Sequence, residues 1–259
     1  MKCDPAKLNI KDCHDLLVGA VLPRPIAFVS TIGANGVNNL APFSYFTILS
    51  SKPVVVGFGI GPKRDGGKKD TLVNVEFAGD FVINVVTEGL AEAMNLTSGE
   101  YPPEIDEFKE AGLTAVPGDR VKSPRVGESP LNMECRLLQI LEFGEAPRVN
   151  RFVIGEVLQI HVQEELLVNN LVKAERLKPV GRLGEDFYCR TQDIFEMKRP
   201  QIPKNKYPRR AQRTQRKINR QFPAGNYLSP LSPSPYSPSR GRGKVGKVRR
   251  EKWRSLSFE

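Results

Sequence analysis

"NNLAPFSYFTILSS", residues Asn38 to Ser51, decides how this chain is read. It carries the aromatic side chains Phe43, Tyr45 and Phe46, several hydroxyls and an Ala-Pro step, and no charge. Apolar segments flank it. "RPIAFVSTI", Arg24 to Ile32, is β-branched and aromatic, and "PVVVGFGI", from Pro53, reads as a buried strand. Asn35-Gly36 predicts a hairpin with a type I′ turn, whose two central positions both need positive φ. A planar heterocycle with polar edges requires flat apolar walls and a few donors at its rim, and Asn38–Ser51 offers both within one turn. The competing reading is an edge strand whose Phe43, Tyr45 and Phe46 divide between core and dimer contact. The residues alone leave the two open.

The 259 residues allow one large or two small domains. The net charge of +10 is segregated. Residues 201–259 hold 16 Lys and Arg against two Glu, a net of +14, which leaves 23 bases against 27 acids, a net of −4, for residues 1–200. An argument from basicity to nucleic acid therefore concerns the tail alone. Cys3, Cys13, Cys135 and Cys189 form no CxxC pair, and His14 and His161 are far apart, which argues against a zinc site and a disulfide framework. "MKCDPAKLNIKDCHD" has no apolar core, and no run of about 18 apolar residues could span a bilayer. The expectation is a cytoplasmic chain with reduced cysteines and no membrane contact.

Along the body, "KDCHDLLVGAVLP" predicts a short helix ending before Pro23. "KKDTLVNVEFAG" predicts another, capped by Asp70 or Thr71, lined by Leu72, Val75 and Phe77, and ended by Gly79. "DFVINVVT" reads as a strand, and "EGLAEAMNL" as a helix with Leu90 and Met94 on one face. "LNMECRLLQILEFG" and "NRFVIGEVLQIHV" suit an antiparallel pair, with short strands around Phe187–Cys189 and Ile194–Met197 after them. Strands joined by short turns, with few helices, predict a closed antiparallel barrel. Beyond Pro200, "KNKYPRRAQRTQRKINRQ" and the Ser-Pro repeat "SPLSPSPYSPSRGRG" cannot bury enough apolar surface to offset ordering entropy, so disorder is expected there.

"GPKRDGGKKDT", Gly61 to Thr71, departs from a Walker motif: Gly66 is followed by Gly67 rather than Lys, and Lys68 by Lys69 where Ser or Thr would be needed to hold magnesium. A nucleoside triphosphatase is disfavoured. Lys63, Arg64, Lys68 and Lys69 nevertheless precede a predicted helix N-terminus, where free N–H groups and the macrodipole favour an anion. The alternative is a solvated loop in which Asp70 or Thr71 only caps the helix. His14 beside Asp15, and His161 near Glu164, are weak acid–base candidates, and Cys135 reads as an inert core thiol.

The ordered series "PRPIAFVST", "NG", "NLAPFSYF", "KDT", "FVINVV", "LAEAMN", "DEFKEAGLT", "ESPLNMECRL", "FVIGEV" and "PVGRLG" resembles the flavin reductase-like, FMN-binding split-barrel family. The resemblance runs from about Asp15 to Pro200 and is carried by the order of the segments. It implies a mainly β protein with peripheral helices: a six-stranded antiparallel Greek-key split barrel that forms a homodimer, with FMN near the subunit interface. Residues 1–200 would be the FMN-binding domain and 201–259 a disordered basic Ser/Pro-rich tail. Ser30 and Thr31 would lie beside the flavin phosphate and ribityl chain. Asn39, Ala41, Pro42, Phe43, Ser44 and Tyr45 would line the isoalloxazine. Lys69 and Thr71 would hold the phosphate, with Asp70 capping the helix behind it. Arg24 would be a further phosphate or structural contact. Asn84 would be a flavin contact or a satisfied core amide, and Phe108 a core plug.

Three functions follow. The first is an FMN-dependent oxidoreductase using NADH or NADPH; with no GxGxxG after a strand, the nicotinamide would stack on the exposed flavin face. The second is a flavoredoxin-like electron carrier without direct NAD(P)H oxidation, serving an electron-transfer or monooxygenase partner. The third is nucleic-acid or partner binding through the tail, whose Pro235–Arg240 fits PxxPxR. Deleting residues 201–259 is expected to leave flavin binding unchanged in a fluorescence titration, and loss of binding would overturn this domain division.

Overall fold

Strand β1 (Ala27–Ile32) is buried on both faces, and the molecule is arranged around it. Ala27 and Val29 enter one core with Phe43, Phe58, Leu72, Val75, Phe81 and Ile83. Ile26 and Phe28 enter a second with Leu40, Leu90, Met94, Phe108, Val126 and Val180. Alternation along one strand thus feeds two clusters, and the near-continuous apolar run in the sequence is the consequence.

A computed structural model describes residues 2–202. The expectations of tail disorder and of tail-borne binding fall on residues 203–259, outside the described residues. In chain order, α1 (Ile10–Ala20) precedes β1, followed by β2 (Asn38–Phe43), β3 (Phe46–Ser51), β4 (Val54–Ile60), α2 (Asp70–Ala78) and β5 (Asp80–Val85). Then come α3 (Ala91–Leu96), α4 (Glu107–Glu110), β6 (Ala115–Val116), β7 (Arg125–Val126), β8 (Leu131–Phe143) and β9 (Asn150–Val162). The small pair β10 (Leu167–Val168) and β11 (Leu171–Val172), α5 (Ala174–Leu177), β12 (Val180–Arg182) and β13 (Tyr188–Arg190) complete the body. Ile194–Met197 is not a strand. Among the described residues no helix is long and apolar enough to cross a membrane.

The main sheet is antiparallel throughout, in the order β2-β1-β5-β8-β9-β4-β3. The elements at its two ends, β2 and β3, are one run of chain bent at Ser44-Tyr45, and the Tyr45 carbonyl accepts from the Gly59 N–H at 2.8 Å. This closes the split barrel. Seven strands replace the expected six because Asn38–Ser51 breaks at that corner. The close approach of β9 to the core requires Gly155, since a Cβ there would overlap the Phe81 ring.

Two local expectations are corrected. The hairpin between β1 and β2 forms, but only Gly36 takes positive φ (78°), and the Gly33 N–H bonds the Val37 carbonyl around a three-residue loop. Such loops pair an ordinary turn with one left-handed residue, so Asn35 is spared positive φ. In α2 the cap position is Lys69, without a side-chain cap bond, and Phe77 is 62% exposed because five residues from Leu72 carry it off the buried face. Gly79 ends the helix with φ 71°, as expected.

Glu134 of β8 is fully buried and accepts from the backbone N–H groups of Asp119 (2.8 Å) and Arg120 (2.6 Å), with His161 Nε2 at 2.6 Å. Burial pushes its carboxyl up, but those amides and His161 more than offset this, and it ends below its usual value. Its stabilisation is therefore present above the ordinary carboxylate range and lost as pH falls through the lowered pKa. Glu134→Gln is expected to cost about 1–3 kcal/mol in urea unfolding at pH 7. The gap to wild type should close in acid, and a gap independent of pH would refute this role.

Candidate functional site

The hairpin, the corner after β2 and the start of α2 converge on two adjoining cavities that share Pro42 and Ser98. The smaller, about 70 Å³, is walled by Asn39, Ala41, Phe43, Lys63, Lys69 and Thr71, with Asp70, Glu107 and the 97–101 loop around them. The larger, about 750 Å³, lies between α1, the Ser44-Tyr45 corner, α3 and the turn after β12.

In the smaller cavity α2 presents an N-terminus with no side-chain cap, so its first N–H groups lack an internal acceptor. Asp70 pairs instead with Lys63 at 3.0 Å, while Lys69 has no carboxylate partner among the described residues. One unpaired cation and a helix N-terminus thus face the same space. Thr71 is buried, and its hydroxyl donates to Asn39 Oδ1 at 2.7 Å, so that proton is already committed.

Asn39 is the junction of this wall. Its Oδ1 also receives the Thr31 hydroxyl at 3.3 Å, and its Nδ2 donates to Glu107 Oε1 at 2.7 Å. Thr31 in turn accepts from Asn74 Nδ2 at 3.1 Å. Glu107 Oε2 accepts the Leu40 N–H at 3.1 Å. Burial raises the Glu107 carboxyl above its usual value, the bonds from its own backbone, Leu40 and Asn39 pull it back, and nearby Asp70 adds to the rise.

Of the residues expected from sequence, Asn39, Ala41, Pro42, Phe43, Lys69, Asp70 and Thr71 come together on the smaller cavity. Arg24, Ser44 and Tyr45 border the larger one. Arg24 is 7% exposed and donates to the carbonyls of Val18 (2.6 Å) and Leu183 (2.7 Å) and to Ser44 Oγ (3.3 Å), which ties α1 and the β12 turn to the corner. Tyr45 places its hydroxyl 3.4 Å from His14 Nδ1. Ser30, Thr31 and Asn84 line neither cavity, because β1 and β5 have no open face. Ser30 donates to the Pro124 carbonyl. Asn84 donates to Phe28 and Ser30 and accepts from the Val126 N–H and Asn132, so its amide is satisfied. Phe108 is a buried plug, and Cys135 is buried with its thiol pushed up by burial.

The sequence reading missed Glu107, although "DEF" places an acid beside a core plug, which is itself a signal. It also missed the rim formed by Arg182 over the Tyr188 ring, 4.5 Å from its centroid, for which no local pattern exists.

The geometry is that of a pocket on a split barrel, and the relatives agree. The profile described as "Flavin reductase like domain" matches residues 18–178. The chain belongs to this flavin reductase-like family. An uncharacterised protein of Halalkalibacterium halodurans is 40% identical over 209 residues, 80% of this chain and all of that one. The crystal structure of nitrilotriacetate monooxygenase component B from Bacillus cereus superposes with a TM-score of 0.73 at 33% identity, covering 76% of this chain and 98% of that one. The 2-nitrobenzoate 2-nitroreductase of Pseudomonas fluorescens gives 0.71 at 30% identity, covering 79% of this chain and 100% of that one. The matched residues take in the whole wall of the smaller cavity and the Ser44-Tyr45 corner of the larger one, whose walls at Lys11–Asp15 and Arg182–Tyr188 lie outside the match.

Proposed function

We propose that the chain is an FMN-binding oxidoreductase that uses NADH or NADPH. The observation that carries this reading is the unpaired Lys69 at the uncapped N-terminus of the nine-residue α2, opening onto the cavity walled by Asn39 to Phe43. The residues present fit a flavin mononucleotide. A terminal phosphate would take Lys69, Lys63 and the first N–H groups of α2, where charge and dipole act together. The ring would run along Ala41-Pro42-Phe43 into the larger cavity, with Ser44 and Tyr45 at its far edge.

When bound, FMN supplies the two-electron chemistry, taking hydride from the nicotinamide and passing electrons on. The chain's own residues orient and shield. Phe43, held against Phe58 with ring centroids 5.3 Å apart, fixes an apolar wall. Arg24 keeps α1 and the β12 turn in place around the larger cavity, which has room for a second planar molecule beside the ring. The carboxylates of the smaller cavity are engaged within the chain, Asp70 with Lys63 and Glu107 with Asn39 and Leu40, which accords with a cofactor that carries the chemistry.

The same reading includes a homodimer in the cytoplasm. No residue of helix α1 is fully buried against its own chain, and Ile10, Leu16 and Leu17 are exposed, as are Ile48 and Leu49 of β3. These apolar surfaces suit a second copy. Purified protein is expected to show the absorbance bands of flavin, bleaching when NADH or NADPH is added without oxygen. Retained flavin with no bleaching by either would favour the electron carrier, and protein that neither retains nor takes up FMN would overturn the proposal.

A further inference from the structure

Strand β2 lies at one end of the sheet order, with β1 as its strand partner. Backbone N–H groups alternate in direction along a strand, so those of Asn38 and Leu40, and the position of Pro42, face away from β1. An unpaired edge of this kind must be satisfied by something. Pro42 has no N–H to satisfy. The Leu40 N–H is taken by Glu107 Oε2, while the side chains of Asn38 and Asn39 reach Asp106 (3.4 Å) and Glu107 (2.7 Å). Two adjacent carboxylates at the start of α4 therefore stitch the free edge of the strand that walls the cavity.

We propose that Glu107 is a positioning residue for the flavin cavity, holding β2 and the Asn39 amide in the arrangement that receives the cofactor. The inference rests on the flavin reading of the cavity. Glu107 is 6% exposed and lines the cavity beside Thr71 and Lys69. Because an ionised carboxylate only accepts, it obliges Asn39 to present its NH2 group there and its oxygen to Thr71 and Thr31. The directions of four hydrogen bonds follow from one charged group. Thr71 then turns a lone pair rather than a proton toward the cavity, which leaves anion recognition to Lys69, Lys63 and the helix N–H groups.

Glu107→Leu strands both the Leu40 N–H and the Asn39 NH2. It is expected to speed amide hydrogen exchange across residues 38–43 in the apo protein and to weaken FMN binding about tenfold or more. Glu107→Gln should restore both to within about threefold of wild type, because its oxygen accepts from Leu40 while Asn39 turns over and donates to the two threonine hydroxyls. Glu107→Asp keeps the charge but shortens the reach, and gives a second measurement of several-fold loss should the leucine variant not fold. Faster exchange without weaker FMN binding would overturn the proposal, as would a leucine or aspartate variant that matches wild type in both. A wild-type chain that binds no FMN, yet whose β2 is loosened by leucine and restored by glutamine, would sink the flavin reading while supporting the carboxylate's hold on the strand.

Discussion

A strand with no solvent-facing side must be covered on both faces, and β1 imposes that condition on the whole molecule. Its two alternating sets of residues feed separate cores, so the barrel interior and the α3–α4 layer are fastened to the same six residues. With β5 on one side of β1 and β2 on the other, β2 has no further strand partner among the described residues along its outward N–H positions, and side chains close it instead. The cavity sits at that closure. Its placement follows from burial first and from chemistry second.

The polar groups there satisfy one another rather than water. Thr31, Asn39, Asn74, Thr71 and Glu107 form one buried network in which each donor has an acceptor, the condition under which buried polar groups hold a site rigid. Lys69 is the exception, a cation at a helix N-terminus without a carboxylate partner among the described residues. A satisfied wall beside a cation without a carboxylate is the arrangement that the proposed phosphate contact requires.

Much of this was legible in the sequence, and the residues show why. The apolar run Ile26–Val29, the Gly79 stop and the long pair β8–β9 each rest on local chemistry that the fold bears out, and the hairpin at Asn35-Gly36 forms with a turn other than the expected one. The aromatic and hydroxyl mixture of Asn38–Ser51 pointed to the pocket, and the KDT segment to its charged end. What local pattern left open was the direction of side chains. Ser30 and Asn84 are polar residues in apolar strands, and sequence cannot say whether such a group faces a ligand or a neighbouring strand. Phe77 looked interior until helical rotation carried it outward. The DEF segment marks Glu107 as an acid beside a core plug, but its partners are 67 and 68 residues away, so no local pattern names them.

The central claim is that a charged end is held at the start of α2 while a flat ring lies along β2. Equilibrium titration of the apo protein with FMN and with riboflavin, in wild type and in Lys69→Ala, tests it most directly. The account predicts that wild type binds FMN at least about tenfold more tightly than riboflavin, a difference of roughly 1.4 kcal/mol, and that the substitution removes most of this preference. Equal affinities for the two flavins, unchanged by loss of Lys69, would contradict it.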